Sequence, residues 1–341
     1  MRAIVQDEYG PPHRLTLGEV PVPAPGAEEV LVRVHAAGVD YGVWHLMTGL
    51  PLVGRLGFGL RRPRNRVPGM DVAGTVEAVG PHVTAFRPGD EVYGEATGAY
   101  AQFALARPGR LARKPAGLSF TEAAAIPTSG VTALRAVGRV TAGDRVMVIG
   151  AGGGVGSFAT QLAAAGGAHV TAVCSTAKAD LVRSLGAQAV IDYTREPLTG
   201  TYDLIIDIAG RRPLALLRGL LAERGRLVLV GGEGGGRWFG GLGRLPAAQV
   251  ISLFSRQHLE PLLSLTRAAD LDTLRGHIEA GAVRPAVGRT YALADAPTAI
   301  ADLAAGNAPG KLVITVDSVE PGSTGDGKDD EDGTETGTPR P

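Results

Sequence analysis

The sequence predicts an α/β protein in which a doubly wound parallel sheet is inserted in a mostly β domain. Three observations predict it. Residues 1 to about 127 consist of short β-like runs cut by turns. From Arg145 onward, short apolar runs alternate with helical patterns, and repeated strand, helix, strand units imply a parallel sheet covered on both faces. After that alternation ends, two further β-like runs follow, and these are expected to return to the first domain.

In the first domain the strand candidates are R-A-I-V-Q from Arg2, E-V-L-V-R-V-H-A-A-G-V from Glu29, D-V-A-G-T-V-E-A-V-G from Asp71 and D-E-V-Y-G-E from Asp90. In the second they are R-V-M-V-I-G, A-H-V-T-A-V-C-S, A-Q-A-V-I-D-Y, Y-D-L-I-I-D-I-A-G and G-R-L-V-L-V-G-G, beginning at Arg145, Ala168, Ala187, Tyr202 and Gly225. A helix is expected from Gly154 to Gly166, another from Ala177 to Leu185 ended by Gly186, and a third in D-L-D-T-L-R-G-H-I-E-A-G with Gly281 as its stop. P-A-V-G-R-T-Y-A-L and G-K-L-V-I-T-V are the returning strands. The expected domains are residues 1–127 with 285–317, residues 128–284, and a polar, acidic stretch 318–341 that lacks apolar periodicity and reads as a disordered tail.

With 341 residues, 44% of them hydrophobic, the chain is long enough for two real cores. Lys+Arg and Asp+Glu both number 34, so no global field draws the protein to nucleic acid or to an anionic membrane. A small molecule is the expected partner. Charge follows soon after Met1 and no apolar run approaches membrane length, so a cytoplasmic location is expected. The single cysteine, Cys174, excludes an intrachain disulfide and a zinc site built from several thiolates. It reads as a small hydrophobe closing the second strand of the parallel sheet.

The chemistry begins where the strand at Arg145 runs into G-A-G-G-G-V-G-S-F-A. Ala151, Gly153 and Gly156 form A-x-G-x-x-G at the opening of a helix, with Gly154 and Val155 between them. Glycines there let the backbone approach a pyrophosphate, whose charge is met by free N–H groups and the positive helix end. No Lys-Ser or Lys-Thr follows, so a phosphate-loop triphosphatase is excluded. An NAD site carries a carboxylate about 20 residues further on. Here that place holds Val173 to Ser175, followed by Thr176 and Lys178: hydroxyls and a cation, suited to a 2′-phosphate. NADP(H) is therefore the expected cofactor. Ser175 and Thr176 also suit a helix cap.

With this domain order the chain resembles the medium-chain dehydrogenase/reductase superfamily, in which a GroES-like catalytic domain carries a Rossmann domain. The resemblance rests on A-A-G-V-D-Y-G-V-W-H-L-M-T-G from Ala36, P-G-M-D-V-A-G-T-V-E-A-V-G from Pro68, F-R-P-G-D-E-V-Y-G, A-A-A-I-P-T-S-G-V-T-A-L-R-A-V, the glycine turn, L-G-A-Q-A-V-I-D-Y and P-G-K-L-V-I-T-V. Zinc-dependent alcohol dehydrogenases of that superfamily have a cysteine shortly after the A-x-G-V-type turn and a histidine in a G-H-E motif. Those places hold Asp40 and Met70 here, and the four-cysteine structural lobe has no counterpart, so the sequence is similar to the zinc-free, quinone oxidoreductase-like branch. The resemblance implies that Tyr193 joins Ser175 and Lys178 around the 2′-phosphate. It also implies that Thr128, Val131 and Thr132 lie beside the nicotinamide or its phosphates, that Gly231 and Gly232 pass under the nicotinamide ribose, and that Lys311 faces the same cleft. Relatives imply a homodimer.

Without a metal to stabilise an alkoxide, alcohol oxidation is difficult. Quinones and α,β-unsaturated carbonyls spread arriving negative charge themselves, so NADPH-dependent reduction of such an acceptor is the expected activity. Asp40, Tyr41 and His45 are the candidates to donate a proton or bond the carbonyl, His45 having the most suitable ordinary pKa. Two alternatives stand beside this: a non-catalytic NADPH-binding sensor or scaffold, and an alcohol dehydrogenase with an atypical metal site. Arg55, Arg61, Arg62, Arg64 and Arg66 read as a solvated loop or as a grip for an anionic group. The stretch from Gly231 to Arg244, with Trp238 and Phe239, reads as a mobile lid or as a turn against a neighbouring subunit.

Overall fold

The computed structural model describes residues 1–316 except 139, 232–235 and 307. The expected tail 318–341 and Gly232 lie outside the described residues. The first half contains β1 (Arg2–Val5), β2 (Thr16–Glu19), β3 (Val30–Val39), β4 (Asp71–Val79), β5 (Glu91–Glu95), β6 (Phe103–Ala106) and β7 (Leu111–Arg113). Helices α1 (Tyr41–Thr48) and α2 (Arg55–Phe58) lie between β3 and β4, and α3 (Phe120–Ala124) follows β7. Local chemistry sets their ends. The Asp40 side chain caps α1 and Gly49, with φ 62°, stops it, while Ser119 and Glu122 form a reciprocal capping box on α3.

The second half runs α4 (Pro127–Val137), β8 (Arg145–Ile149), α5 (Gly154–Ala165), β9 (His169–Cys174), α6 (Ala179–Ser184), β10 (Ala189–Asp192), β11 (Tyr202–Asp207), α7 (Leu214–Gly219), β12 (Leu221–Leu229), α8 (Arg244–Leu253), β13 (His258–Pro261) and α9 (Ala268–Glu279). Its strands form a parallel sheet in the order β10-β9-β8-β11-β12-β13, with cores on both faces. Burial on both faces explains why these strands are apolar runs without alternation. The order reverses between β8 and β11. In open parallel sheets that crevice, at the carboxyl ends of the strands, is where ligands bind.

One expected helix is shorter than predicted. Instead of starting at Ala177, the chain makes a tight turn over Thr176–Lys178, closed by Lys178 N–H donating to the Ser175 carbonyl at 2.9 Å, and the α-helix covers only Ala179–Ser184. Three-residue hydrogen bonding at a helix start absorbs the change of direction after β9.

The chain then adds β14 (Val287–Ala292), α10 (Ala296–Ala305) and β15 (Lys311–Thr315). As expected of the returning strands, β14 and β15 join the sheet of the first half, ordered β14-β15-β3-β4-β5-β7, with β6 also on β3. This mixed architecture is the predicted one, a Rossmann-type parallel sheet joined to a mostly β, GroES-like unit.

Candidate active site at the junction of the two sheets

Pairing of β15 with β3 sets Leu312 opposite Val39, and pairing of β3 with β4 sets Ala37 opposite Val72. These registers bring Lys311, Asp40 and Asp71 to one end of the sheet, where their side chains are 3%, 8% and 0% exposed. Lys311 Nζ lies 2.9 Å from Asp71 Oδ2 and 3.9 Å from Asp40 Oδ2, and it contacts Ser129 Oγ at 3.1 Å. Asp71 Oδ1 accepts from the Thr128 N–H at 3.0 Å and from its hydroxyl at 2.6 Å. One carboxylate thus fastens the start of α4 to β4 and β15. Asp40 Oδ1 accepts from the Val43 N–H at 3.1 Å, whereas Asp40 Oδ2 has no hydrogen-bond partner among the described residues. Burial pushes the Asp40 carboxyl up to about 6, with Lys311 opposing the rise and Asp71 adding to it.

This cluster underlies the glycine turn. A Cβ on Gly154 would stand 2.8 Å from Ser129 Oγ and 3.1 Å from Lys311 Cδ. Gly150, with φ 87°, turns the chain out of β8, and a Cβ on Gly156 would fall 2.2 Å from the Gly150 carbonyl oxygen. Gly153 precedes α5 with no side-chain cap, so the N–H groups of the first turn are left for a ligand. Gly310 N–H donates to the Gly152 carbonyl at 2.9 Å, clamping the turn to the segment that carries Lys311. Ala151 is buried beneath the turn and Val155 packs against the core. Val131 and Thr132 are buried on α4. Across the crevice, Gly231 N–H donates to the Asp207 carbonyl at 3.3 Å. The Asp207 carboxyl, raised by burial, pairs with Arg244 at 2.9 Å.

The carboxyl ends of β9 and β10 bring Ser175, Thr176, Lys178 and Tyr193 to one edge. Lys178 lays its stem over Gly152, where a Cβ would meet Lys178 Cδ at 2.6 Å, and its amine donates to the Gly306 carbonyl at 2.7 Å. Tyr193 is 51% exposed, with the Arg212 guanidinium 6.0 Å from its ring centroid. Arg212 was not singled out in the sequence. Neither was Asp192, which register places opposite Cys174 and whose carboxylate accepts from the Thr176 hydroxyl. Hydrogen bonds from Thr176 and Thr194 hold that carboxyl below its ordinary value. Cys174 is buried and burial raises its thiol, consistent with a packing role.

Helix α1 starts from its cap, Asp40. The Tyr41 hydroxyl donates to the Leu303 carbonyl of α10 at 3.1 Å, and His45 Nδ1 contacts the Leu50 carbonyl at 2.8 Å. A carbonyl only accepts, so Nδ1 carries the hydrogen in this contact. Asp40, Tyr41 and His45 therefore share a helix start but turn to different surroundings. Near them, Arg55 donates to the Gly49 carbonyl and Arg66 pairs with Asp7, while Arg61, Arg62 and Arg64 are exposed. The described part of the glycine-rich loop is seated on the first half. Leu52 N–H donates to the Arg237 carbonyl at 2.8 Å and Val53 N–H to that of Trp238 at 3.1 Å, leaving the Trp238 and Phe239 side chains 70% and 61% exposed.

Residues 26–136 match the alcohol dehydrogenase GroES-like domain family and residues 185–314 match the zinc-binding dehydrogenase family. A chloroplast envelope quinone oxidoreductase homologue of Arabidopsis thaliana is 30% identical over 87% of this chain and 92% of its own length. The chain belongs to the medium-chain dehydrogenase/reductase superfamily. It falls in the quinone oxidoreductase-like branch and is an oxidoreductase of that type. The solved quinone oxidoreductase of Coxiella burnetii superposes with a TM-score of 0.81 at 29% identity, covering 93% of this chain and 99% of that one. A mycobacterial structure complexed with NADPH superposes with a TM-score of 0.78 at 31% identity, covering 92% and 99%.

The second family's name implies zinc, and the donor set here does not fit it. Asp40 and Asp71 have the Lys311 ammonium beside them, and among the described residues no group of three or more His, Cys, Asp or Glu is placed to hold a metal. Zinc is bound by thiolate, imidazole and carboxylate in fours, or in threes with an open position. A dinucleotide does fit, because the first turn of α5 is uncapped and glycine backbone lines its approach.

Proposed function

We propose that the protein is a zinc-free, NADPH-dependent reductase of a quinone or an α,β-unsaturated carbonyl. The observation that carries this reading is the Lys311 ammonium set against the Asp40 and Asp71 carboxylates beneath an uncapped helix start. The cation set against these carboxylates is an amine, and the donor set does not favour the Lewis acid that alkoxide oxidation calls for. It suits an acceptor that delocalises charge itself.

When bound, the cofactor supplies hydride from its nicotinamide ring. The first turn of α5, from Gly154, would hold the pyrophosphate. Ser175, Thr176, Lys178 and Tyr193 would surround the 2′-phosphate, and Thr128, Val131, Thr132 and Gly231 would line the nicotinamide side. His45, oriented by Leu50, would donate a proton to the reduced oxygen or bond the carbonyl, with Tyr41 as wall and Asp40 anchoring the helix start. The support for this arrangement is that the glycine turn leaves β8 at the point where the sheet order reverses and opens an uncapped helix there. A second copy of the chain is the one macromolecular partner proposed: β13 is an edge strand, and Leu253, Phe254 and Leu263 near it are 79%, 88% and 85% exposed. Among the described residues no helix is long and apolar enough to cross a membrane, and the compartment proposed is the cytoplasm.

Isotope transfer tests the reaction. NADPH deuterated at the transferring position, incubated with a conjugated enone and chelator-treated protein, is expected to yield a saturated ketone labelled at the β-carbon. Unchanged enone, with the label retained on the nicotinamide, contradicts the reading.

A further inference from the structure

Lys311 offers one ammonium to two buried carboxylates. Asp40 and Asp71 come from the first half of the chain, whereas Ser129 and Gly154, against which the Lys311 side chain also rests, open α4 and α5 of the second. The charge of the cluster turns on one proton. With Asp40 protonated, Lys311 and Asp71 cancel. With Asp40 ionised, the cluster carries a net negative charge directly beneath the turn suited to an anionic dinucleotide, where low polarity strengthens the repulsion.

The charged and titratable groups facing Asp40 are Lys311 from β15, Asp71 from β4 and Tyr100, whose hydroxyl donates to the Gly38 carbonyl at 3.2 Å. His45 lies one turn further along its own helix, and the nearer backbone donor is the Val43 N–H. Burial raises Tyr100 well above its ordinary value, so it stays a neutral phenol. Asp71 is committed to Lys311 and to both donors of Thr128. Within this cluster Asp40 keeps a buried oxygen, Oδ2, with no hydrogen-bond partner among the described residues, and a carboxyl so placed binds a proton readily.

We propose that Asp40 is a proton switch for cofactor binding: the protein takes up a proton at Asp40 as the dinucleotide binds, and holds the dinucleotide less tightly once Asp40 is ionised. By linkage the two effects are one free energy seen from either side. The inference rests on reading the glycine turn as a dinucleotide site, and the test separates the two.

Calorimetric titration of the full chain with NADPH, in buffers of different ionisation enthalpy between about pH 5 and pH 8, counts protons taken up on binding. Asp40→Asn keeps the shape and the helix cap but cannot ionise. The 2′-phosphate titrates in the same range and contributes alike to both proteins, so their difference reports Asp40. Wild-type protein is expected to take up an additional fraction of a proton near pH 6 and to lose about fivefold more affinity across the range than Asp40→Asn. Equal proton uptake and parallel affinity curves would overturn the proposal. Absence of NADPH binding in both proteins would refute the dinucleotide reading itself. Carbon-13 titration of the Asp40 carboxyl in cofactor-free protein, assigned with the same variant, supplies an independent check: a midpoint in the ordinary aspartate range overturns the switch whatever the binding data show.

Discussion

On the proposed reading Asp192 stands at the adenosine end of the crevice, its carboxylate 14% exposed and bonded to the Thr176 hydroxyl. A carboxylate there repels a 2′-phosphate and can accept from free ribose hydroxyls, so it opposes the preference that Ser175, Thr176 and Lys178 create. Asp192→Asn is expected to raise the preference for NADPH over NADH by about three- to tenfold, read as the ratio of the two dissociation constants. An unchanged ratio would place the phosphate elsewhere. Counting onward from the glycines along the chain reaches Ser175 but cannot reach Asp192. The acid arrives sideways, by parallel pairing of β10 with β9. The hydroxyls and the lysine were legible in sequence because they follow their strand directly, whereas the acid depends on which strand lies next to it.

Among the elements, the turn from β8 into α5 leaves no room for a side chain at Gly156. The Gly156 backbone approaches Gly150 and Ala151 so closely that a methyl group would force the helix start away from the strand end. Gly156→Ala is therefore expected to lower the unfolding temperature, at a cost of about 1–3 kcal/mol, and to weaken dinucleotide binding at least tenfold by fluorescence titration. Wild-type binding in that variant would show that the turn does not carry the ligand. The strands of the parallel sheet were legible because burial on both faces leaves continuous apolar runs, and α5 because glycines bracket it. The start of α6 was not. Ser175, Thr176 and Lys178 are compatible with either a helix or a tight turn, and the direction of the chain leaving β9 decides between them.

In the whole molecule the site is made where two sheets meet. Lys311 and Asp71 are 240 residues apart in sequence and 2.9 Å apart in space, and neither residue's neighbours in the chain announce the contact. Lys311 was expected in the cleft, but its partners were hidden because strand registers, not local pattern, set them. The loop that carries Trp238 joins the halves again at residues 52 and 53. A cleft of this kind, with a lysine between its carboxylates, should need no metal. Single-turnover oxidation of NADPH by chelator-treated protein, mixed with a panel of quinones, conjugated enones and simple ketones, measures that most directly. The account predicts rapid NADPH consumption with quinones or enones, slower consumption of NADH, and no gain on adding zinc. Turnover that appears only with zinc, that prefers NADH, or that is absent with every acceptor despite bound NADPH would contradict it.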